Sequence, residues 1–110
     1  KTSGKYSTAT EYQIDLKHMT VKQKWSYGKT LGASNFTSII GYAQRLNNGN
    51  TLVDFGYKKD GQESNVIEVD ANGTQVFNMT LTSSAHDKTY AYRAYRINFY
   101  PSNYHFDATK

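Results

Sequence analysis

Alternation of apolar and polar residues with a period of two is the feature that most restricts how this chain can fold. In the stretch "TVKQKWSYG", Val21, Trp25 and Tyr27 fall on one face, and Lys22 and Lys24 fall on the other. A helix would scatter these side chains around its circumference, whereas a strand places alternate residues on opposite faces. No stretch has a convincing amphipathic helical pattern. The sequence therefore predicts an all-β fold.

Turn residues divide the chain into candidate strands. Two turns of the Asn-Gly type lie at 47–50 and 71–73, and a short hairpin loop lies at 16–19. Glycine adopts positive φ at little cost and asparagine tolerates it better than most residues, so such turns join antiparallel strands. Strands are expected near 8–15, 20–28, 38–46, 51–57, 65–70, 74–82 and 91–100, with Pro101 ending the last one.

The chain also contains an internal repeat. The segment "YQID…TVKQKW" is similar to "IEVD…TQVFNM": Asp15 and Asp70 each end a strand, and Thr20 and Thr74 each begin the next. Four short strands with tight polar turns in each repeat are typical of a β-propeller blade. We therefore expect residues 8–28 to be the outer hairpin of one blade, 36–82 a complete blade, 91–100 a closing strand of another blade and 101–110 a tail.

A blade makes a definite prediction for strand order. Its strands should form one antiparallel sheet in sequential order, with strand 65–70 flanked on both sides. The run of Val66, Ile67 and Val69 predicts burial of that strand on both faces. A Greek-key order with 65–70 at an edge would favour the alternative fold, a small β-sandwich. Since one and a half blades do not close a ring, we expect the chain to be part of a larger protein.

Composition excludes several classes of protein. The 110 residues include no cysteine, which excludes disulfides and thiol chemistry, and no stretch has the length of a transmembrane helix. The net charge is +4, and its excess lies in the first thirty residues. Lysines on an exposed strand account for this excess more simply than nucleic-acid binding does. We expect no cofactor, no nucleic-acid partner and no membrane insertion.

Histidines are the first candidates for catalysis. His18, His86 and His105 are too far apart in the chain to have metal-ligand spacing, so no metal site is expected. His18 lies in a hairpin loop and is expected on the surface, and His105 belongs to the tail. His86 is the one weak catalytic candidate, because the neighbouring Asp87 could orient its imidazole. Adjacent side chains rarely point together, which makes a surface role the more ordinary interpretation.

Three arginines are weak candidates for binding a substrate or another anion: Arg45, Arg93 and Arg96. A guanidinium group offers planar donors to the oxygens of a carboxylate or another oxyanion. The more ordinary role is structural ion pairing, for which the sequence offers Glu68, Asp70 and Asp54 as partners.

Tyrosines close to two of these arginines could add a stacking surface. Tyr92, Tyr95 and Tyr100 lie in or beside the last expected strand. Aromatic rings of this kind can stack on sugars or bases, and they also pack well between sheets. Packing between blades is the more ordinary interpretation.

Four stretches in a fixed order resemble one known family. They are "EYQIDLKHMTVKQKWSYGK", "GYAQRLNNGNTLVDFG", "NVIEVDANGTQVFNM" and "YRAYRINFY". Over residues 8–100 this order is similar to the C-terminal part of the bacterial arylsulfate sulfotransferases. The resemblance implies a six-bladed propeller whose central funnel holds the active site. It also implies transfer of a sulfuryl group between phenols through a sulfo-histidine, without a nucleotide donor.

The resemblance places the catalytic histidines and arginine of the family upstream of Lys1, so no catalytic residue is assigned within this segment. We therefore expect the isolated segment to be inactive. The expected partners are the remainder of the propeller, a phenolic sulfate donor and a phenol acceptor, and open sheet edges would let the fragment self-associate. The resemblance further implies a periplasmic, surface or secreted location. The alternative function is a carbohydrate-binding or protein-contact β module of a bacterial surface protein.

Overall fold

The computed structural model describes residues 6–84 and 86–107, so the last three residues of the expected tail lie outside the described part. The described chain forms a two-stranded and a four-stranded antiparallel sheet, with two short 3-10 helices in the connections. The strands are β1 (Ala9–Asp15), β2 (Thr20–Tyr27), β3 (Gly41–Arg45), β4 (Thr51–Lys58), β5 (Glu63–Val69) and β6 (Gln75–Thr82), and the 3-10 helices are Lys29–Asn35 and Lys59–Gly61.

The four-stranded sheet has the strand order that a blade predicts. Its order is β3-β4-β5-β6, and each strand pairs antiparallel with the next one along the chain. The strand expected at 65–70 is β5, which lies between β4 and β6. The prediction of sequential order is confirmed, and the Greek-key order of the sandwich alternative is wrong.

The repeated aspartates play the same part in both hairpins. The Oδ1 atom of Asp70 accepts a hydrogen bond from the N–H of Thr74 at 2.8 Å, and Gly73 between them adopts φ 85°. The Oδ1 atom of Asp15 accepts a hydrogen bond from the N–H of Lys17 at 3.0 Å. A short carboxylate that bonds to the backbone just beyond it stabilises the turn. The sequence repeat is therefore also a structural repeat.

One face of the four-stranded sheet packs against the β1–β2 hairpin. The central strands β4 and β5 contribute alternate apolar side chains to this face. The β1–β2 hairpin covers them with residues from the end away from its loop. The buried cluster consists of Ala9, Tyr27, Val53, Phe55, Ile67 and Val69, with Trp25 and Leu31 packed against it.

The opposite face of the same sheet is covered by the segment 91–97. Leu46, Leu52 and Val66 form a second buried cluster there, and Ala94 packs against it. The strands β4 and β5 are therefore buried on both faces, as the apolar run in β5 predicts.

The strand expected over residues 91–100 is not formed. The segment is held instead by isolated contacts: the N–H of Ala91 donates to the carbonyl of Gly56 at 3.1 Å. The side-chain amide of Gln44 accepts from the N–H of Arg96 at 2.9 Å and donates to its carbonyl at 3.3 Å. A strand needs the backbone edge of a partner strand, whereas this segment lies across the face of a sheet and is bonded largely by a side chain.

We predict that Ile67→Ala lowers the free energy of unfolding by about 3 kcal/mol, because Ile67 is 1% exposed and its replacement leaves a cavity between the β1–β2 hairpin and the sheet. Urea denaturation followed by circular dichroism measures this loss. The matched control is Ile14→Ala on the hairpin, where Ile14 is 65% exposed and the expected change is below about 0.5 kcal/mol. Equal losses for the two variants would contradict this packing.

Candidate functional site

A polar cleft lies where the β3–β4 turn meets the end of the segment 91–97. Its volume is about 300 Å³, and it brings together two of the three arginines predicted to bind anions. Guanidinium and amide groups in such a cleft supply several hydrogen-bond donors. The lining consists of Gln44, Arg45, Leu46, Asn47, Asn48, Arg96 and Asn98.

Arg96 is neutralised within this cleft. Its Nη1 atom lies 2.6 Å from Oε2 of Glu68, a residue of β5 that is only 3% exposed. The other oxygen of Glu68 accepts a hydrogen bond from Nδ2 of Asn50 at 2.7 Å. Of the three carboxylates offered by the sequence as partners for the arginines, Glu68 pairs with Arg96. Because a buried carboxylate requires a partner, Arg96 serves to attach the segment 91–97 to the sheet.

Arg45 is also engaged in structure, although with a different partner from those expected. Its Nη2 atom pairs with Oε2 of Glu11 on β1, and its Nη1 atom donates to the carbonyl of Gly49 at 3.1 Å. The guanidinium group also lies 5.2 Å from the ring centroid of Trp25. These contacts join the β3–β4 turn to the β1–β2 hairpin, and they neutralise the second charge of the cleft.

Arg93 differs from the other two arginines, because no carboxylate in the described part of the chain forms an ion pair with it. Its guanidinium carbon lies 5.5 Å from the ring centroid of Tyr42 and 5.3 Å from that of Tyr92. Its Nη1 atom donates to the hydroxyl of Tyr95 at 3.0 Å, and this bond raises the pKa of Arg93. We call Tyr42, Tyr92, Arg93 and Tyr95 the Arg93 cluster.

The third tyrosine of the expected stacking surface lies elsewhere. Tyr100 stacks on Tyr104 with ring centroids 4.6 Å apart, and it meets Phe106 edge to face at 4.8 Å. These rings belong to the exposed tail. The structure therefore separates Tyr100 from Tyr92 and Tyr95, which the sequence grouped with it.

The three histidines lie in exposed loops or in the tail, outside the polar cleft. Nδ1 of His18 lies 2.7 Å from Oδ2 of Asp15 in the hairpin loop, and this hydrogen bond lowers the pKa of Asp15. His86 and His105 are exposed. The carboxylate of Asp87 accepts a hydrogen bond from the hydroxyl of Ser84 at 2.8 Å.

The described part of the chain has neither a metal site nor a membrane-spanning helix. Residues 6–84 and 86–107 contain no group of three or more histidine, aspartate or glutamate side chains that could hold a metal ion. In this range there is also no helix long and apolar enough to cross a membrane.

Asp54 is a buried carboxylate whose environment the sequence analysis did not identify. It was one of three carboxylates offered as arginine partners, yet neither of its side-chain oxygens has a hydrogen-bond partner among the described residues, and the residue is 2% exposed. Burial raises the pKa of Asp54 to about 6. The available signal was its place within the apolar run "TLVDFG", because a polar residue in a strand covered on both faces must itself be buried.

These observations define the chain as part of an all-β protein built from repeated antiparallel sheets. The sequence profile of the family described as Arylsulfotransferase (ASST) matches residues 1–93, and the chain belongs to this family. A stretch of 52 residues, 47% of the chain, is 40% identical to "Arylsulfate sulfotransferase AssT" of Escherichia coli O6:H1. The matched stretch makes up 9% of the length of that relative. The resemblance read from the four ordered stretches is thereby confirmed.

We predict that Asp54 makes the protein less stable as the pH rises. Its folded pKa of about 6 lies above the ordinary value of 3.8, so the folded state holds this proton more tightly than the unfolded state. The resulting stability is fully present below pH 3.8 and is lost as the pH rises through 6. Between pH 5 and pH 7 the loss should be about 1 kcal/mol in urea denaturation.

The matched variant is Asp54→Asn, which keeps the shape of the side chain and removes its titration. In this variant the loss assigned to Asp54 should disappear, whereas the contributions of other titrating groups remain in both proteins and cancel in the comparison. Identical pH profiles for the variant and the original chain would show that Asp54 is not the group responsible.

Proposed function

We propose that this chain supplies one blade, with parts of its two neighbours, to a β-propeller that transfers sulfuryl groups from phenolic sulfate esters to phenols. The observation that carries the proposal, together with family membership, is the repeated hairpin. The pair Ala9–Tyr27 in the β1–β2 hairpin corresponds to the pair Ser64–Leu81 in the β5–β6 hairpin. The two hairpins are thus equivalent units in successive sheets.

The packing of the β1–β2 hairpin indicates what the β5–β6 hairpin covers in the larger protein. Trp25 and Tyr27 of β2 pack onto the four-stranded sheet that follows. By the same correspondence, Met79 and Leu81 of β6 are the equivalents of Trp25 and Tyr27. Both are exposed. These two residues lie beside the segment 91–97 in a groove of about 520 Å³. We assign this groove to the sheet that follows in the larger protein. The segment 91–97 pairs with no strand among the described residues, and in the larger protein it would gain a partner and become the first strand of that sheet.

The proposed chemistry needs a nucleophile and fixed donors. A neutral imidazole nitrogen would attack the sulfur of the donor ester, and the bond from sulfur to the aryl oxygen would break to release phenoxide. The acceptor phenol would then attack the same sulfur, lose its proton and free the histidine. Donors placed on the sulfuryl oxygens lower both barriers. We place the nucleophile in another part of the larger protein, because the three histidines here lie in a hairpin turn, a loop and a tail.

The remaining parts of the proposal follow from the family. The reaction would need no cofactor and no nucleotide sulfate donor. The location would be outside the cytoplasm, in the periplasm or at the cell surface. The edge of β1 that does not face β2 would pair with the preceding strand of its own blade in the complete protein, and in the isolated chain open sheet edges would favour self-association.

We predict that the isolated 110-residue chain does not transfer sulfuryl groups. Without the nucleophile the covalent route is lost, and each missing oxyanion donor would remove about 3–4 kcal/mol of transition-state stabilisation. The assay follows nitrophenolate release from p-nitrophenyl sulfate with phenol as acceptor. A longer protein that contains this chain and the rest of the propeller should release nitrophenolate under the same conditions.

Two results would contradict this assignment. Turnover by the isolated chain well above a no-protein blank would place the active site within it, and loss of that turnover in His86→Ala would identify His86 as the nucleophile. Failure of the longer protein to transfer sulfuryl groups to any phenol would overturn the proposed reaction itself.

A further inference from the structure

We propose that the Arg93 cluster is a contact surface for the aryl sulfate substrate, with Arg93 on the sulfuryl oxygens and the tyrosine rings against the aryl group. This inference rests on the proposed function and adds to it a site within this chain. The juxtaposition that carries it is an exposed arginine, without a carboxylate partner among the described residues, set between aromatic rings.

The three arginines differ in whether a carboxylate neutralises their charge. Glu11 neutralises Arg45, and Glu68 neutralises Arg96. An anion that approached either of them would have to displace a carboxylate that is already bonded. Arg93 donates only to a neutral hydroxyl among the described contacts, so its full positive charge remains available. A single sulfate ester carries one negative charge and matches it.

Three tyrosines hold the guanidinium group of Arg93 in place. Its guanidinium group lies over Tyr42 and Tyr92, and the hydroxyl of Tyr95 accepts one of its N–H bonds at 3.0 Å. Tyr42 and Tyr95 in turn meet edge to face with ring centroids 5.0 Å apart. A guanidinium held in this way loses little entropy on binding. Because the Tyr95 hydroxyl accepts from Arg93, its own hydrogen is free to bond to a sulfuryl oxygen.

The aryl part of the ligand is indicated by the rings and their exposure. Tyr92 and Tyr95 are both exposed, so a flat aromatic group can reach them. Offset or edge-to-face contact between aromatic rings stabilises binding beyond the burial of apolar area. Inorganic sulfate would gain only the charge contact, and a neutral phenol only the ring contact. The cluster therefore favours a ligand that carries both groups.

The position of the cluster fits the proposed propeller. Tyr42 belongs to β3, the first strand of the complete sheet, and the other members belong to the segment assigned as the first strand of the next sheet. Propeller blades surround a central channel, and first strands that meet in this way would line it. The side-chain amide of Gln44 bonds to both the N–H and the carbonyl of Arg96. These two hydrogen bonds fix the backbone beside Arg93 and Tyr95.

Binding is tested by NMR titration of the 110-residue chain with 2-naphthyl sulfate. The expected result is a saturable shift of the amide signals of Tyr42 and of residues 92–96. Parallel titrations with inorganic sulfate and with 2-naphthol should give affinities at least tenfold weaker. Equal affinity for inorganic sulfate, or no saturable shift at these residues, would overturn the inference.

Variants test the role of Arg93 directly. Arg93→Gln should weaken binding of 2-naphthyl sulfate at least fivefold, and Tyr92→Ala should weaken it about threefold. Lys24→Gln is the matched control, since it removes one positive charge from the exposed β1–β2 hairpin, and it should change the affinity less than twofold. The amide spectrum of each variant verifies the fold. If Lys24→Gln and Arg93→Gln weakened binding of 2-naphthyl sulfate equally, net charge alone would explain the affinity. That result would contradict a specific site at Arg93.

A last measurement separates this inference from the proposed reaction. In the longer protein, Arg93→Gln should raise KM for the aryl sulfate by at least fivefold with a smaller change in kcat. If the longer protein transfers sulfuryl groups and the variant behaves as the original, the inference is wrong and the proposed function stands. If the isolated chain binds 2-naphthyl sulfate but the longer protein transfers nothing, the binding surface stands and the reaction is wrong.

Discussion

Burial of β4 and β5 on both faces is the constraint on which the rest of this structure depends. A sheet with two apolar faces requires a covering layer on each side. The β1–β2 hairpin provides one layer and the segment 91–97 provides part of the other. Each layer is then held by a polar contact at its margin, through Arg45 on one side and Arg96 on the other.

Glu68 on β5 and Asp54 on β4 show what burial of a strand on both faces requires of a carboxylate. Glu68 is stabilised by an arginine from the covering segment and by an asparagine from the adjacent turn. Asp54 has neither, and its raised pKa is the direct consequence of lost hydration. The same covering layer therefore satisfies one carboxylate and leaves the other without a hydrogen-bond partner among residues 6–84 and 86–107. Asp54 is the point at which the described packing costs stability at neutral pH.

The use of arginines for attachment bears on function. A cleft lined by two arginines suggests an anion site, but both guanidinium groups are already paired with glutamates. The remaining arginine lies among tyrosines and has no such partner in the described residues. That difference matters for the proposed substrate, because a sulfate ester of a phenol combines an anion with an aromatic ring.

Local features of the sequence determined the strands, the turns and their sequential order. Period-two alternation acts within a few residues, glycine and asparagine set the turns, and the repeated aspartates bond to backbone groups immediately beyond them. These effects need no distant partner, so they can be read from the chain. Only the tertiary structure decided that residues 91–97 cover a sheet face and pair with no strand among the described residues. It also decided that Arg45 pairs with Glu11 and that Asp54 has no hydrogen-bond partner in the described part of the chain, because these outcomes depend on which faces and edges meet in space.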